Sequence, residues 1–187
     1  MTDEYFTPDW VVRQCMKHVL PYVCPFPLSR IIDPGAGHGV FVRQLRAHYL
    51  NSHITAIDIN HRFGPWPNAD ASVYGDYLDT NNERLDHFDL AVGNPPFSLA
   101  MQFVTRSLVL ADTVVFLLRQ GFLSSAKRNT FFRMRPPQHI FILAHRPCFY
   151  SYDPSTDKAD YCFVCWGKPT GTTYLHWLPT IPVNERR

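Results

Sequence analysis

The sequence predicts a three-layer α/β fold on a mainly parallel, Rossmann-like sheet, and three observations predict it. Several short apolar runs do not alternate with polar residues, as in residues 30–33, 88–93 and 113–118. Such runs read as strands buried on both faces, which is the habit of parallel sheets flanked by helices. Segments of helical periodicity separate them, giving the strand–helix alternation of α/β architectures. A Gly-rich turn lies between the first strand and the next helix, where an open parallel sheet forms a crevice for a ligand.

In chain order, residues 9–20 place Trp10, Val11, Cys15 and Val19 at helical spacing, and Pro21 is expected to stop that helix. Pro25 and Pro27 mark a connector. A buried strand follows at 30–33, then the Gly-rich turn and a helix over about 40–50. Strands are expected at 54–58, which ends in an acid, weakly at 71–74, and at 88–93. A helix over about 99–110 leads to a strand at 113–118, and two more strands are expected at 139–144 and 160–166.

The chain of 187 residues is long enough to bury one core, and 45% hydrophobic with 18% charged residues is a folded composition. One domain over residues 1–187 is expected. The first residues lack the basic-then-apolar order of a secretory leader, and no apolar run approaches membrane-spanning length. A protein of the cytoplasm is expected. Cys15, Cys24, Cys148, Cys162 and Cys165 are odd in number and scattered, which disfavours a disulfide framework and suits a reducing compartment. Cys162 and Cys165 form a C-x-x-C pair within an apolar strand. Without a second pair they read as buried thiols, and no metal site is expected.

The turn Asp33-Pro34-Gly35-Ala36-Gly37-His38-Gly39 carries the first chemical signal. Its glycines permit positive φ and close backbone approach, and the helix that follows adds N–H donors. It does not match the dinucleotide G-x-G-x-x-G pattern, which weighs against redox chemistry. A carboxylate at its head would repel a pyrophosphate but suits a cofactor bearing an amino-acid ammonium group. Asp58, with Ile59 beside it, ends the second strand where ribose hydroxyls are held in such folds. Asp76 follows the third strand and offers an acceptor for an adenine amino group, with Tyr77 or Leu78 against the ring.

Asn94-Pro95-Pro96-Phe97 after an apolar strand is the most specific feature. Proline fixes φ and removes N–H donors, leaving a stiff row of carbonyls. An aromatic amine is a poor nucleophile because its lone pair is delocalised. The Asn94 side-chain oxygen and the Pro95 carbonyl could each accept one amine hydrogen and favour a pyramidal nitrogen. Phe97 offers a face on which an extruded base can stack.

These segments together resemble the amino-methylating DNA methyltransferases, specifically the N6-adenine type with gamma motif order. Tyr5-Phe6-Thr7-Pro8 resembles that family's opening motif over the methionine end of the cofactor. Asp33 to Gly39 resembles its first Gly-rich motif, Asp58 and Asp76 its next two acids, and Asn94 to Phe97 its catalytic motif. The resemblance continues through Phe116-Leu-Leu-Arg-Gln-Gly-Phe-Leu123 and Arg146-Pro-Cys-Phe149. It implies the class I S-adenosylmethionine-dependent methyltransferase fold, with an antiparallel strand near the C-terminus. It also implies S-adenosyl-L-methionine as cofactor, bound by residues 5–8, 33–37, 58, 59, 76, 77 and 94. Asn94, where cytosine-directed relatives often carry Ser, points to adenine in DNA.

Phe97 departs from the Tyr often found there, so stacking survives without a hydroxyl. No separate target-recognition domain is evident, and base readout is expected from loops at 60–70, 124–138 and 151–160 or from a separate specificity partner. Lys127, Arg128, Arg133 and Arg135, interleaved with Phe131 and Phe132, are expected to contact phosphates. Phe149 is expected to sandwich the flipped base against Phe97. The competing readings are a methyltransferase for an RNA base or a protein glutamine amide, and a catalytically silent fold that binds nucleic acid or a partner.

Overall fold

The computed structural model of the chain describes residues 6–79, 85–149, 158–168 and 170–186. Tyr5, and 151–157 of the expected 151–160 loop, lie outside the described residues. The strands in chain order are β1 (Arg30–Pro34), β2 (His53–Asp58), β3 (Ala71–Tyr74), β4 (Phe88–Gly93), β5 (Ala111–Arg119), β6 (His139–Ile142), β7 (Tyr161–Trp166) and β8 (Tyr174–Trp177). They form one sheet in the order β3-β2-β1-β4-β5-β7-β6-β8. β7 is antiparallel to both its neighbours, and the other pairs are parallel. The chain therefore winds outward from β1 to β3, then returns to β4 on the other side of β1. That reversal opens the crevice at the carboxyl ends of β1 and β4.

Apolar side chains on each sheet face meet a separate helical layer. On one face pack α1 (Asp9–Gln14), α2 (Leu20–Val23) and α3 (Val40–His48), whose Trp10, Val11, Phe41 and Leu45 join the strand residues Ile31, Leu90 and Val115. On the other face lies α4 (Ala100–Leu110), which buries Ala100, Phe103, Val104 and Ser107. These positions recur at intervals of three and four, so they form one helical stripe.

Pro21 does not end the first helical segment. Cys15–Val19 forms a π-helical turn, and the Leu20 N–H reaches the Cys15 carbonyl five residues back. The helix restarts with Pro21 in the first turn of α2, where the missing N–H costs no intrahelical bond. The expected loop at 124–138 is partly helical and contains α5 (Asn129–Met134). β8 has no counterpart among the expected strands. It lies on the edge of the sheet with Tyr174, Leu175 and Trp177 exposed, so it shows neither an apolar run nor clean alternation.

Cys162 and Cys165 lie three residues apart on β7 and so point to opposite faces, one into each core layer. They cannot share a metal ion, and the described residues contain no group of three or more metal-ligand side chains. Burial pushes the Cys162 thiol up to about 12. No helix among the described residues is long and apolar enough to cross a membrane.

Candidate functional site

The order β3-β2-β1-β4 puts four signalled side chains at adjacent strand ends: Asp76, Asp58, Asp33 and Asn94. Between them opens a cavity of about 420 Å³, lined among others by Gly35, Gly37, Asp58, Asp76, Tyr77 and Asn94. Ile59, Pro95 and Pro96 complete parts of its wall. A smaller cavity of about 40 Å³ adjoins the Gly-rich turn and is lined by Phe6, Thr7, Asp33, Ala36 and Asn94, among others.

Strand-end backbone fixes the turn. The N–H groups of Gly35 and Ala36 both donate to the Ile57 carbonyl, at 2.8 and 3.0 Å. Gly37 N–H donates to Asp58 Oδ2 at 2.9 Å, and Asn60 N–H donates to Oδ1 at 2.8 Å. Asp58 thus braces the turn as well as facing the cavity. Gly39 precedes α3 with φ +71°, and a Cβ there would lie 2.5 Å from Trp66 Cδ1. Trp66 in turn donates from Nε1 to the Gly37 carbonyl at 2.8 Å. Sequence reading missed this buttress, since a Trp in a Pro-rich loop carries no mark of its partner.

Asp33 is 1% exposed, and its Oδ2 has no hydrogen-bond partner. Burial, reinforced by the nearby Asp58 charge, pushes its carboxyl well above the ordinary carboxylate range, with the Val42 N–H acting in the opposite sense. A buried acceptor without a donor is costly. It lies against the small cavity, so a cationic group there would satisfy it.

Asp76 sits at the exposed rim, where its Oδ1 accepts the Leu78 N–H at 2.8 Å. Tyr77 turns its ring into the core against Phe103, and its hydroxyl pairs with Ser107 at 2.8 Å. Burial pushes that phenol up to about 12, so Tyr77 is a fixed, neutral wall. Pro34 is buried at the end of β1, and the Pro8 carbonyl accepts the Val11 N–H at the start of α1.

The Asn94–Phe97 segment leaves β4 and turns into the 3₁₀ turn Phe97–Leu99. The Pro96 carbonyl is engaged by the Leu99 N–H at 2.9 Å, so the row of carbonyls is shorter than expected. Asn94 Nδ2 donates to Thr7 Oγ1 at 3.0 Å. Phe97 is half-buried, with the Arg119 guanidinium 4.7 Å from its ring centroid. Arg119 ends β5 and donates from Nε to the Tyr161 hydroxyl at 3.0 Å. A cation closing an apolar strand at the crevice edge was the signal that could have found it.

Phe149 does not offer a second open face. It is 1% exposed and meets Phe97 edge-on at 6.0 Å and Tyr161 at 5.0 Å. It supports Phe97 from the core, because the chain after β6 folds inward there.

The basic cluster is divided rather than gathered. Lys127 is exposed. Arg128 instead turns back, donating to the Phe122 and Gly121 carbonyls at 2.8 and 3.2 Å and stacking on Phe122 at 4.6 Å. Arg133 and Arg135 are exposed, but the Arg135 carbonyl accepts from Trp166 Nε1 at 3.2 Å. Trp166 pairs with Val114, whereas the crevice end of β5 is Arg119, which pairs with Tyr161. At roughly 3.4 Å per residue, Arg135 therefore lies about 17 Å from the crevice edge.

No protein-family model matches the chain, and no curated protein matches it. Solved structures do. A Listeria monocytogenes protein described as a class I S-adenosylmethionine-dependent methyltransferase superposes with a TM-score of 0.71 at 13% identity, covering 96% of this chain and 68% of that one. The methyltransferase subunit of a type I restriction-modification system from Streptococcus thermophilus gives 0.70 at 12% identity, covering 89% and 46%. The M protein of the type I restriction enzyme EcoKI gives 0.68 at 12%, covering 100% and 52%. The chain spans about half the length of these two subunits. At such identities the likeness establishes the fold, that of the class I S-adenosylmethionine-dependent methyltransferases.

Proposed function

We propose that this chain transfers a methyl group from S-adenosyl-L-methionine to the exocyclic N6 amine of adenine in DNA, with the base flipped out of the duplex. The observation that carries the reading is the placement of Asn94-Pro95-Pro96-Phe97 at the end of β4, beside the crevice that Asp33 and Asp58 border.

The residues present fit that cofactor. The unpartnered Asp33 Oδ2 in the small cavity suits its ammonium group. Asp58 suits the ribose hydroxyls, and Asp76 at the rim, with Ile59 and Tyr77, suits the adenine end. Phe6, Thr7 and Pro8 lie beside the amino-acid end. When bound, the cofactor supplies an electrophilic methyl group on a sulfonium sulfur.

The chain's own contribution is to place the amine. Asn94 Oδ1 and the Pro95 carbonyl each accept one amine hydrogen, which draws the lone pair out of the ring and aims it across the crevice. Oriented dipoles act at the crevice, and no strong base is required. Phe97 holds the base by its π-face. Lys127, exposed in the segment after β5, is the candidate phosphate contact. The likeness to methyltransferase subunits of type I restriction-modification systems supports DNA as substrate and assembly with further subunits. An RNA base is the competing target, because a 23S rRNA methyltransferase, ErmE, shares the fold with a TM-score of 0.58.

The protein should be incubated with cofactor and unmethylated DNA or RNA, and the nucleosides then analysed by mass spectrometry. N6-methyladenine from DNA is expected, and Asn94→Ala should abolish it while cofactor affinity by calorimetry stays within a few-fold. A methylated nucleoside from RNA alone, or N4-methylcytosine, would replace this assignment.

A further inference from the structure

An amide side chain has a donor end and an acceptor end, and only the acceptor end can bind an amine hydrogen. Which end of Asn94 faces a substrate is therefore a functional variable. In the structure the side chain is engaged across 87 residues of sequence, with Asn94 Nδ2 donating to the Thr7 hydroxyl at 3.0 Å. With the NH₂ group held there, the acceptor oxygen is turned away from Thr7.

The segment bearing Thr7 is itself fixed on both sides. The Phe6 ring lies 4.3 Å from His38 of the Gly-rich turn and 6.0 Å from Phe63 of the loop after β2. His38 and Phe63 close the triangle at 4.9 Å. On the other side, the Pro8 carbonyl accepts the Val11 N–H at 3.0 Å and starts α1. Thr7 is thus mounted between a ring cluster and a helix start, and it shares a small cavity with Asp33 and Asn94.

We propose that the Thr7 hydroxyl is the positioning group that holds the Asn94 side chain in place at the crevice, with the Phe6–His38–Phe63 cluster as its mount. The inference rests on Asn94 acting as the amine acceptor. A hydroxyl can bond either end of an amide, so what Thr7 fixes is the place of the Asn94 side chain, and its loss frees that side chain to rotate. The ring cluster joins the cofactor turn to the N-terminal segment, so the same three rings align the cofactor crevice and the catalytic amide.

The test compares Thr7→Val, which keeps the shape and removes the hydroxyl, with Thr7→Ser, which keeps the hydroxyl. The Asn94 side-chain amide resonances, assigned through their loss in Asn94→Asp, are followed by ¹⁵N NMR in the protein without substrate. Thr7→Val should shift those resonances and speed their solvent exchange, and lower kcat, measured at saturating cofactor, roughly tenfold for one lost hydrogen bond. Thr7→Ser should restore the resonances and most of kcat. Unchanged Asn94 resonances in Thr7→Val, or a wild-type kcat at saturating cofactor, would overturn the proposal. If the wild-type protein methylates no adenine, the substrate assignment falls by itself, while the resonances still decide whether Thr7 holds Asn94.

Discussion

Gly93 and the Asp33 carboxylate pack so closely that a Cβ on residue 93 would lie 2.6 Å from Asp33 Oδ1. The two residues lie close to the ends of neighbouring strands, since β1 and β4 pair through Ile31 with Leu90 and Ile32 with Ala91. The glycine before the Asn-Pro-Pro-Phe segment is therefore the space that lets the buried acid stand upright beside it.

Gly93→Ala should displace that carboxylate, because the short, buried Asp33 side chain has little room to yield. Overpacking of this kind costs about 1–3 kcal/mol, and each kcal/mol lowers Tm by roughly 2–4 °C at this size. Cofactor affinity should fall at least tenfold in the folded variant. Calorimetric titration beside a thermal melt checks both, and wild-type affinity would mean that the Asp33 position is unimportant for binding.

Asp33→Asn separates stability from binding. The folded-state carboxyl titrates well above the ordinary range through burial, while the unfolded one titrates at about 3.9. The folded form thus holds its proton longer, and its contribution to stability is full below the unfolded value and lost as pH rises through the folded value. The neutral Asn escapes that loss. The cofactor-free variant should melt higher than wild type, by an increment that grows with pH and vanishes at about pH 4, yet bind cofactor weakly. An increment that is equal at all pH values would refute the electrostatic cause.

Backbone-specifying residues made much of this legible in sequence. Gly35, Gly37 and Asn94-Pro95-Pro96 mark turns through their φ angles, and the non-alternating runs of β4, β5 and β7 announced a buried sheet. What escaped depends on partners far apart in the chain, such as Thr7 with Asn94, Trp66 with Gly37 and Arg119 with Tyr161. Residue type does not reveal such pairs. A guanidinium that holds two backbone carbonyls, as in Arg128, is written with the same letter as one that waits for a phosphate.

Phe149→Ala should act through folding. Removing a ring that is 1% exposed and wedged between Phe97 and Tyr161 leaves a cavity, at a cost of about 3–5 kcal/mol. A Tm lowered by roughly 10 °C is expected. A mispaired target base, which costs less to extrude, should then recover none of the lost activity, because the deficit lies in the support of Phe97. A normal melt with recovery on mismatched DNA would return Phe149 to the base-binding surface.

The basic segment after β5 yields a prediction with opposite outcomes at adjacent positions. Lys127 is exposed in the segment that follows β5, so Lys127→Ala should leave Tm nearly unchanged. It should weaken DNA binding across sequences and reduce the salt slope by roughly 0.9, the increment that neutralising a single phosphate contributes. Arg128 spans the Phe122 and Gly121 carbonyls and stacks on the Phe122 ring, closing the turn that follows β5. Hydrogen bonds from a charged group are worth about 1.5–3 kcal/mol, with the low end apt for this partly exposed side chain. Arg128→Ala should therefore lower Tm by roughly 3–6 °C and leave the salt slope close to wild type in the protein that remains folded. Arg135→Ala, at a residue held beside the end of β5 and β7 opposite Arg119, and Arg133→Ala, two residues before it, should change neither quantity. Fluorescence anisotropy across a salt series, run beside melts of all four variants, reads both axes. Equal slope changes at the four positions would mean that DNA meets the whole cluster. A silent Lys127→Ala would remove this segment from the DNA path altogether.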